Sequence, residues 1–376
     1  MRILHVYRTF FPDTQGGLEE VIRQICAGTT HLGADCTVFT TTKNTSEPSV
    51  IELDGIRVVR APETFEVASC NVSLNALFSF REVFEQADVV HYHFPWPFAD
   101  LLNLTTRQKK PSLVTYHSDI IRQKWLRRLY NPLMKNFLSS VDRIVCTSPN
   151  YFATSNLLTE YEQKVDVIPI GINRASYPVV SEDELAEAES QFGRGFFLFV
   201  GVLRYYKGLH ILLDAIQNAP YKVVIVGSGP TERALKDQAA QLGLTNVVFT
   251  GYVSDSLKVA LIQLSRAIIF PSYLRSEAFG VTLLEGAMNG KPLVSTEVGS
   301  GTSHVNVDGE TGYVVAPGSA RALRRAMDQL YKNPETANLM GTRARQRFDR
   351  LFASELMAER YWKLYHDLVG KSRSRE

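Results

Sequence analysis

Cysteine is scarce in this chain of 376 residues: four in all, Cys26, Cys36, Cys70 and Cys146, with no paired short spacing. That argues against a zinc knuckle or a disulfide framework and reads as reduced thiols in a cytoplasmic protein. Net charge is also small, with 41 Lys and Arg against 39 Asp and Glu and a formal balance of +2. So weak a field does not suit nucleic acid as a bulk partner, and any basic surface must be local. No apolar run approaches the roughly 20 residues that span a bilayer. Met1-Arg-Ile-Leu-His-Val-Tyr7 enters a strand-like run directly, without the apolar stretch and cleavage site of a signal peptide. The expectation is a soluble or peripheral protein rather than an integral one. Tandem repeats, low-complexity tracts and Asp-x-Asp pairs are absent from the sequence too.

What is present is an ordinary globular composition, 45% hydrophobic and 21% charged, long enough for two or three domains. Short apolar runs alternate with helix-patterned segments. Strands are expected at 2–7, 36–41, 56–60, 89–93, 113–117, 143–147 and 165–170, then at 196–202, 222–226, 247–251, 267–270, 292–296 and 312–315. Their continuous apolar character fits strands covered on both faces. The repeated strand–helix order predicts an α/β protein with two doubly wound, Rossmann-like domains, whose ligands bind at the strand C-terminal ends. Acids crowd a short polar helix within residues 181–195, where Ser181 and Glu184 match a capping box and Gly193 and Gly195 follow. This segment reads as a linker between a domain at 1–180 and another at 196–353. Residues 354–376 form a terminal helix carrying Tyr361, Trp362 and Tyr365.

Five patterns carry chemistry. Ser276-Glu-Ala-Phe-Gly-Val-Thr-Leu-Leu-Glu285 sets Glu277 and Glu285 around Gly280, which opens a helix with free N–H groups. Carboxylates beside an anion site suit a ligand bearing both phosphate and hydroxyls. In Gly201-Val-Leu-Arg204-Tyr-Tyr-Lys207, Arg204 offers a planar fork for phosphate oxygens and Lys207 a mobile point charge. Gly227-Ser-Gly229 follows a strand, but Glu232 stands where a dinucleotide fingerprint needs its third glycine. Asp13-Thr-Gln-Gly16-Gly17-Leu-Glu19 makes a glycine turn after the first strand. His117, in Tyr116-His-Ser-Asp119, can donate a hydrogen bond or polarise a reacting centre, with Asp119 nearby. His91 and His93 read as locally satisfied histidines.

Together, and in their order along the chain (glycine turn, histidine motif, Arg204-x-x-Lys207, glycine-rich strand exit, paired glutamates), these patterns resemble the retaining glycosyltransferases of family 4, which have the GT-B fold with two Rossmann-like domains facing an interdomain cleft. The resemblance implies that Arg204 and Lys207 neutralise the donor diphosphate, that Glu277 holds sugar hydroxyls and Glu285 the ribose, and that His117 faces the donor sugar. Gly16, Gly17, Gly201, Gly227, Ala278, Phe279, Gly280, Val281 and Thr282 would then line the donor site, with Tyr252 and Val253 beside the base. It also implies a terminal helix crossing back to the first domain; packing on the second domain alone is the alternative. The run His117–Lys124 and the stretch 301–312 look most like bacterial O-polysaccharide mannosyltransferases. The implied substrates are GDP-mannose and an undecaprenyl-diphosphate-linked saccharide, the latter met by Asp119, Arg122 and Lys124. No metal or cofactor is implied. Residues 120–135 hold five basic residues and no acid among Trp125, Leu126, Leu129 and Tyr130, which suits an anionic membrane surface at the inner membrane or an ordinary solvated helix. A UDP-hexose or GDP-rhamnose donor, a GT-B epimerase and a non-catalytic sensor stay open.

Overall fold

The computed structural model describes residues 1–67, 70–106, 109–119 and 124–373, with the side chains of 124–127 and 373 left out of the description. The chain forms two compact units, one of residues 1–172 with 354–376 and one of residues 173–353.

The first unit is built on an eight-stranded sheet: β1 (Arg2–Val6), β2 (Asp35–Thr42), β3 (Val50–Leu53), β4 (Ile56–Pro62), β7 (Val89–Phe94), β8 (Ser112–Tyr116), β9 (Arg143–Cys146) and β10 (Val165–Val167). A separate hairpin joins β5 (Phe65–Val67) to β6 (Cys70–Val72). The sheet order is β10-β9-β8-β7-β1-β2-β4-β3, parallel except for the β3–β4 pair. Every residue of β7 is buried, as a central strand sandwiched between helices requires. The terminal helix Ser354–Arg373 lies against helix Gly17–His31 of this same unit. Gly28 permits the approach, since a Cβ there would stand 2.6 Å from that of Ala358. Tyr361 and Tyr365 anchor the terminal helix by hydroxyl contacts of 2.9 Å to Thr115 and 2.8 Å to His91.

The second unit holds six parallel strands, β11 (Phe197–Val200), β12 (Val223–Val226), β13 (Val247–Gly251), β14 (Ala267–Phe270), β15 (Leu293–Thr296) and β16 (Gly312–Val315), in the order β13-β12-β11-β14-β15-β16. Its core is a layered stack. Helix Ala320–Lys332 buries Leu323, Ala326, Met327 and Leu330, spaced three or four apart, in one core cluster with Phe197, Phe199, Val223 and Ile225. Each large side chain so buried contributes about 1.5–3 kcal/mol.

Two expectations need correction. The acidic segment at 181–195 forms the expected short polar helix, Glu182–Phe192, with a complete Ser181–Glu184 capping box, but it belongs to the second unit and packs on helix Asp255–Leu264 there rather than standing as a linker. The division falls after residue 172 rather than after 180. Strands β3, β5 and β6 have no counterpart among the expected ones. β3 is an edge strand of half-exposed residues and β5 is exposed throughout, so neither carries a buried-strand signal.

Candidate active site

In the second unit the functional side chains stand at the C-terminal ends of the strands. After β11 the chain turns at Gly201, whose N–H donates to Val226 O at 3.0 Å. The glycines after β12 exist to admit this turn. A Cβ on Gly227 would lie 2.2 Å from Gly201 O, and one on Gly229 2.6 Å from Leu203 O. Gly227 therefore shapes the loop bearing Arg204. Gly227→Ala, at φ +119°, should cost about 1–3 kcal/mol in strain and lower turnover with it. Gly243→Ala is the control, with positive φ but no atom within 4 Å. Equal thermal shifts for the two, with turnover intact, would remove that role.

Arg204 is exposed and caps a short 3-10 turn, Tyr205–Lys207. Gly208 follows in the left-handed region at φ +70°, where a Cβ would meet Pro271 O at 2.1 Å. That backbone approach presses the turn against the loop after β14. Lys207 Nζ consequently reaches Glu277 Oε2 at 2.5 Å, with the side chains 13% and 10% exposed. Ser272 Oγ donates to the same oxygen at 3.1 Å, and the Phe270 ring lies 4.7 Å from the ammonium. An ammonium has three N–H donors, so Lys207 can hold Glu277 and a ligand anion together.

Gly280, at φ +90°, caps helix Val281–Met288. Val281 opens the helix, and Thr282 Oγ1 donates to Val200 O at 3.1 Å, tying the helix start to β11. Phe279 is buried edge-on to Phe352, and Ala278 O accepts from Gly301 N–H at 2.8 Å. Glu285, buried one turn further, pairs with Lys258 at 3.1 Å, and Lys258 also meets Asp255 at 2.9 Å. Burial works against the Lys258 charge, but the two carboxylates prevail and raise its pKa. Tyr252, 80% exposed, and half-buried Val253 follow β13. Sequence reasoning missed Ser272 and Lys258. Ser272 stands two residues past β14, where the strand-end rule points. Lys258 comes from a different strand–helix repeat, and no spacing announces it.

In the first unit, Gly16 caps helix Gly17–His31 in an extended conformation. Its missing Cβ leaves space for Glu19, whose Oε1 accepts from Thr9 and Thr14 hydroxyls at 2.9 and 3.0 Å. Gly17 has no atom within 4 Å of a Cβ position. Buried Arg60 pins the loop through Asp13 at 3.0 Å. His117 follows β8 with 4% exposure, and burial drives its pKa down to about 3. Its Nε2 meets His93 Nδ1 at 3.0 Å, and His93 Nε2 meets His5 Nδ1 at 3.1 Å. His91 is satisfied separately by Tyr365 and Thr115. Asp119 is held locally: Tyr116 OH donates to its Oδ1 at 2.9 Å, and its own N–H donates to Tyr151 OH at 2.7 Å. Arg122 and the side chain of Lys124 lie outside the described residues.

Two family models match the chain, Glycosyltransferase Family 4 over residues 15–176 and Glycosyl transferases group 1 over residues 181–347. The D-rhamnosyltransferase WbpZ of Pseudomonas aeruginosa is 52% identical over 354 residues, covering 94% of this chain and 93% of its own. The O-antigen chain mannosyltransferase C of Escherichia coli is 46% identical over 369 residues, covering 98% and 99%. Among solved structures, a sucrose-phosphate synthase from Thermosynechococcus elongatus superposes with a TM-score of 0.79 at 22% identity over 98% of this chain and 99% of its own. That last likeness concerns the fold alone. The chain belongs to the group 1, family 4 glycosyltransferases, and its two doubly wound units are the Rossmann-like domains of the GT-B fold.

Proposed function

We propose that this enzyme transfers mannose from GDP-mannose, with retention of anomeric configuration, to an undecaprenyl-diphosphate-linked saccharide during O-polysaccharide assembly. The observation that carries the reading is the Lys207–Glu277 pair beside Arg204 and the Gly280 helix cap, all beyond the strand ends of one parallel sheet. It combines cations for a diphosphate with a carboxylate for hydroxyls. The kinship with a mannosyltransferase at 46% identity supports the sugar. D-Rhamnose is D-mannose without its 6-hydroxyl, so transfer of D-rhamnose from its GDP derivative is the second reading, favoured by the 52% identity to WbpZ.

The bond from the anomeric carbon to the diphosphate oxygen breaks, and its electron pair moves onto the leaving phosphate. Arg204, Lys207 and the N–H groups after Gly280 stabilise that charge, each such donor contributing about 3 kcal/mol at the transition state. The acceptor hydroxyl attacks from the same face, and its proton passes to the departing phosphate. Glu277 holds sugar hydroxyls, Glu285 the ribose, and His117 the transferred sugar. Because side-chain cations supply the positive charge, no metal is required.

Mass spectrometry of transfer to a synthetic GlcNAc-diphospho-lipid tests this, with GDP-mannose, GDP-D-rhamnose and UDP-hexoses offered in EDTA. A hexose gained from GDP-mannose supports the proposal. A deoxyhexose gained only from GDP-D-rhamnose replaces it with the second reading. Isomerised donor with no transfer overturns the transferase assignment.

The same reading sets the first unit against an anionic membrane at the cytoplasmic face of the inner membrane. None of the described helices is long and apolar enough to cross one. Arg128 is exposed on helix Lys124–Ser140, as are Leu129 (71%) on the same helix and Phe78 (83%) on helix Ala76–Gln86. Arg127→Glu with Arg128→Glu should weaken co-sedimentation with anionic vesicles, and unchanged sedimentation would refute the membrane role.

A further inference from the structure

Three imidazoles form a continuous hydrogen-bonded row across the centre of the first sheet. β8, β7, β1 and β2 are consecutive neighbours. His117 follows β8, His93 lies on β7 and His5 on β1. The links are His117 Nε2 to His93 Nδ1 at 3.0 Å and His93 Nε2 to His5 Nδ1 at 3.1 Å, with both ring pairs within 19° of parallel. His5 and His93 are 0% and 1% exposed. The far end reaches β2: a ring nitrogen of His5 and the sulfurs of Cys26 and Cys36 lie within 4.8 Å of one another.

A neutral imidazole carries one N–H, so each ring donates through one nitrogen and accepts through the other. Three rings in series therefore share one direction, and only two arrangements exist. In the first, protons sit on every Nε2, His117 donates inward and its Nδ1 is a bare acceptor. His5 Nε2–H is then left buried without a partner, since that atom has no hydrogen-bond partner among the described residues. An orphaned buried N–H is the costlier defect, because an N–H has one bond to make and cannot make it. In the second arrangement protons sit on every Nδ1. His5 Nε2 becomes a bare lone pair, which has no proton left to place. No donor is orphaned, and His117 presents Nδ1–H outward.

We propose that His5 and His93 are positioning residues that lock His117 in its Nδ1–H tautomer, making it a hydrogen-bond donor to the ligand. A donor there serves a sugar hydroxyl oxygen or a phosphate oxygen, whereas a bare nitrogen repels the phosphate. The proposal rests on the assignment of His117 to the transferred sugar. It explains why His93, which that assignment does not use, stands in line with His117 rather than in an apolar core position.

Two measurements test it on the full chain. Nitrogen-15 NMR of ring-labelled histidine, assigned through single His→Gln variants, should show protonated Nδ1 and bare Nε2 at His5, His93 and His117. A protonated Nε2 at His117 overturns the proposal. With GDP-mannose as donor, His93→Leu should lower kcat by about tenfold or more, the range for groups that orient an active residue, while KM stays within about twofold. His93→Gln, whose amide can still donate to His117 Nε2, should recover much of that loss. In a His117→Ala background His93→Leu should add nothing. An equal loss in both backgrounds means that His93 acts only on the fold, and the proposal falls. If His117→Ala alone leaves turnover unchanged, the assignment of His117 to the sugar falls instead, and the nitrogen spectrum still judges the tautomer.

Discussion

Arg204→Ala is expected to reduce turnover by about 10²–10³-fold, the loss typical of removing one preorganised group that stabilises developing charge. Its melting temperature should barely move, because the side chain is exposed and exposed substitutions stay within about ±0.5 kcal/mol. Lys207→Ala should lose as much turnover but also stability. Its carboxylate partner Glu277 is nearly buried and would keep, among the described residues, only the Ser272 hydroxyl, and breaking such a pair costs about 3 kcal/mol or more. The double variant Lys207→Met with Glu277→Gln removes both charges and should regain most of that stability without regaining turnover. Thermal melts beside initial rates separate the two effects. Near-normal transfer by folded Arg204→Ala would overturn the diphosphate role.

The second large effect is acid sensitivity confined to the first unit. Burial is the main cause that lowers the pKa values of His91, His93 and His117, with neighbouring histidines adding to it for the first two. Unfolded, each would titrate near 6.5. The folded pKa lies below the unfolded one, so the unfolded chain binds protons that the native unit refuses. Stability is then fully present above about pH 6.5 and is lost as pH falls toward the folded values, about 3 for His117. Three groups give a limiting slope of about 4 kcal/mol per pH unit. The first unit should therefore lose stability as pH falls below about 6.5, offset in part by buried Asp100, whose pKa burial raises so that the folded unit takes up a proton there. All three tryptophans, Trp96, Trp125 and Trp362, lie in that unit, so tryptophan fluorescence follows it selectively. His91→Gln should make the transition shallower by about one proton. An acid transition equally steep in His91→Gln and in the native chain would show that the histidines do not govern acid stability.

Much of the fold was legible because buried parallel strands are continuous apolar runs. β13, β14 and β16 fall at the expected residues, and most of the others within two. Illegible elements were those whose stability is not local burial: β3 borrows its place from β4, and β5 and β6 form a separate hairpin. The acidic helix Glu182–Phe192 was visible from its cap, but its docking depends on Ala188 and Phe192, a sparse apolar face beside the charge. At the site, glycines and charges in fixed order pointed to Arg204, Lys207, Glu277 and Gly280. The pairings between them did not show. Lys207 meets Glu277 only because Gly208 lets two loops approach across β11 and β14, and strand order is not written in spacing. His91-x-His93 was a visible sign that two histidines share one face of a strand. His5 joins them through sheet register, His5 opposite His91, which one strand alone does not reveal.

The measurement that tests retaining transfer most directly is the anomeric configuration of the product formed from GDP-mannose, an α-linked donor, read by NMR of the sugar-extended acceptor. An α-mannosyl linkage is the predicted result. A β linkage would contradict same-face attack and require a general base that nothing in the present mechanism supplies.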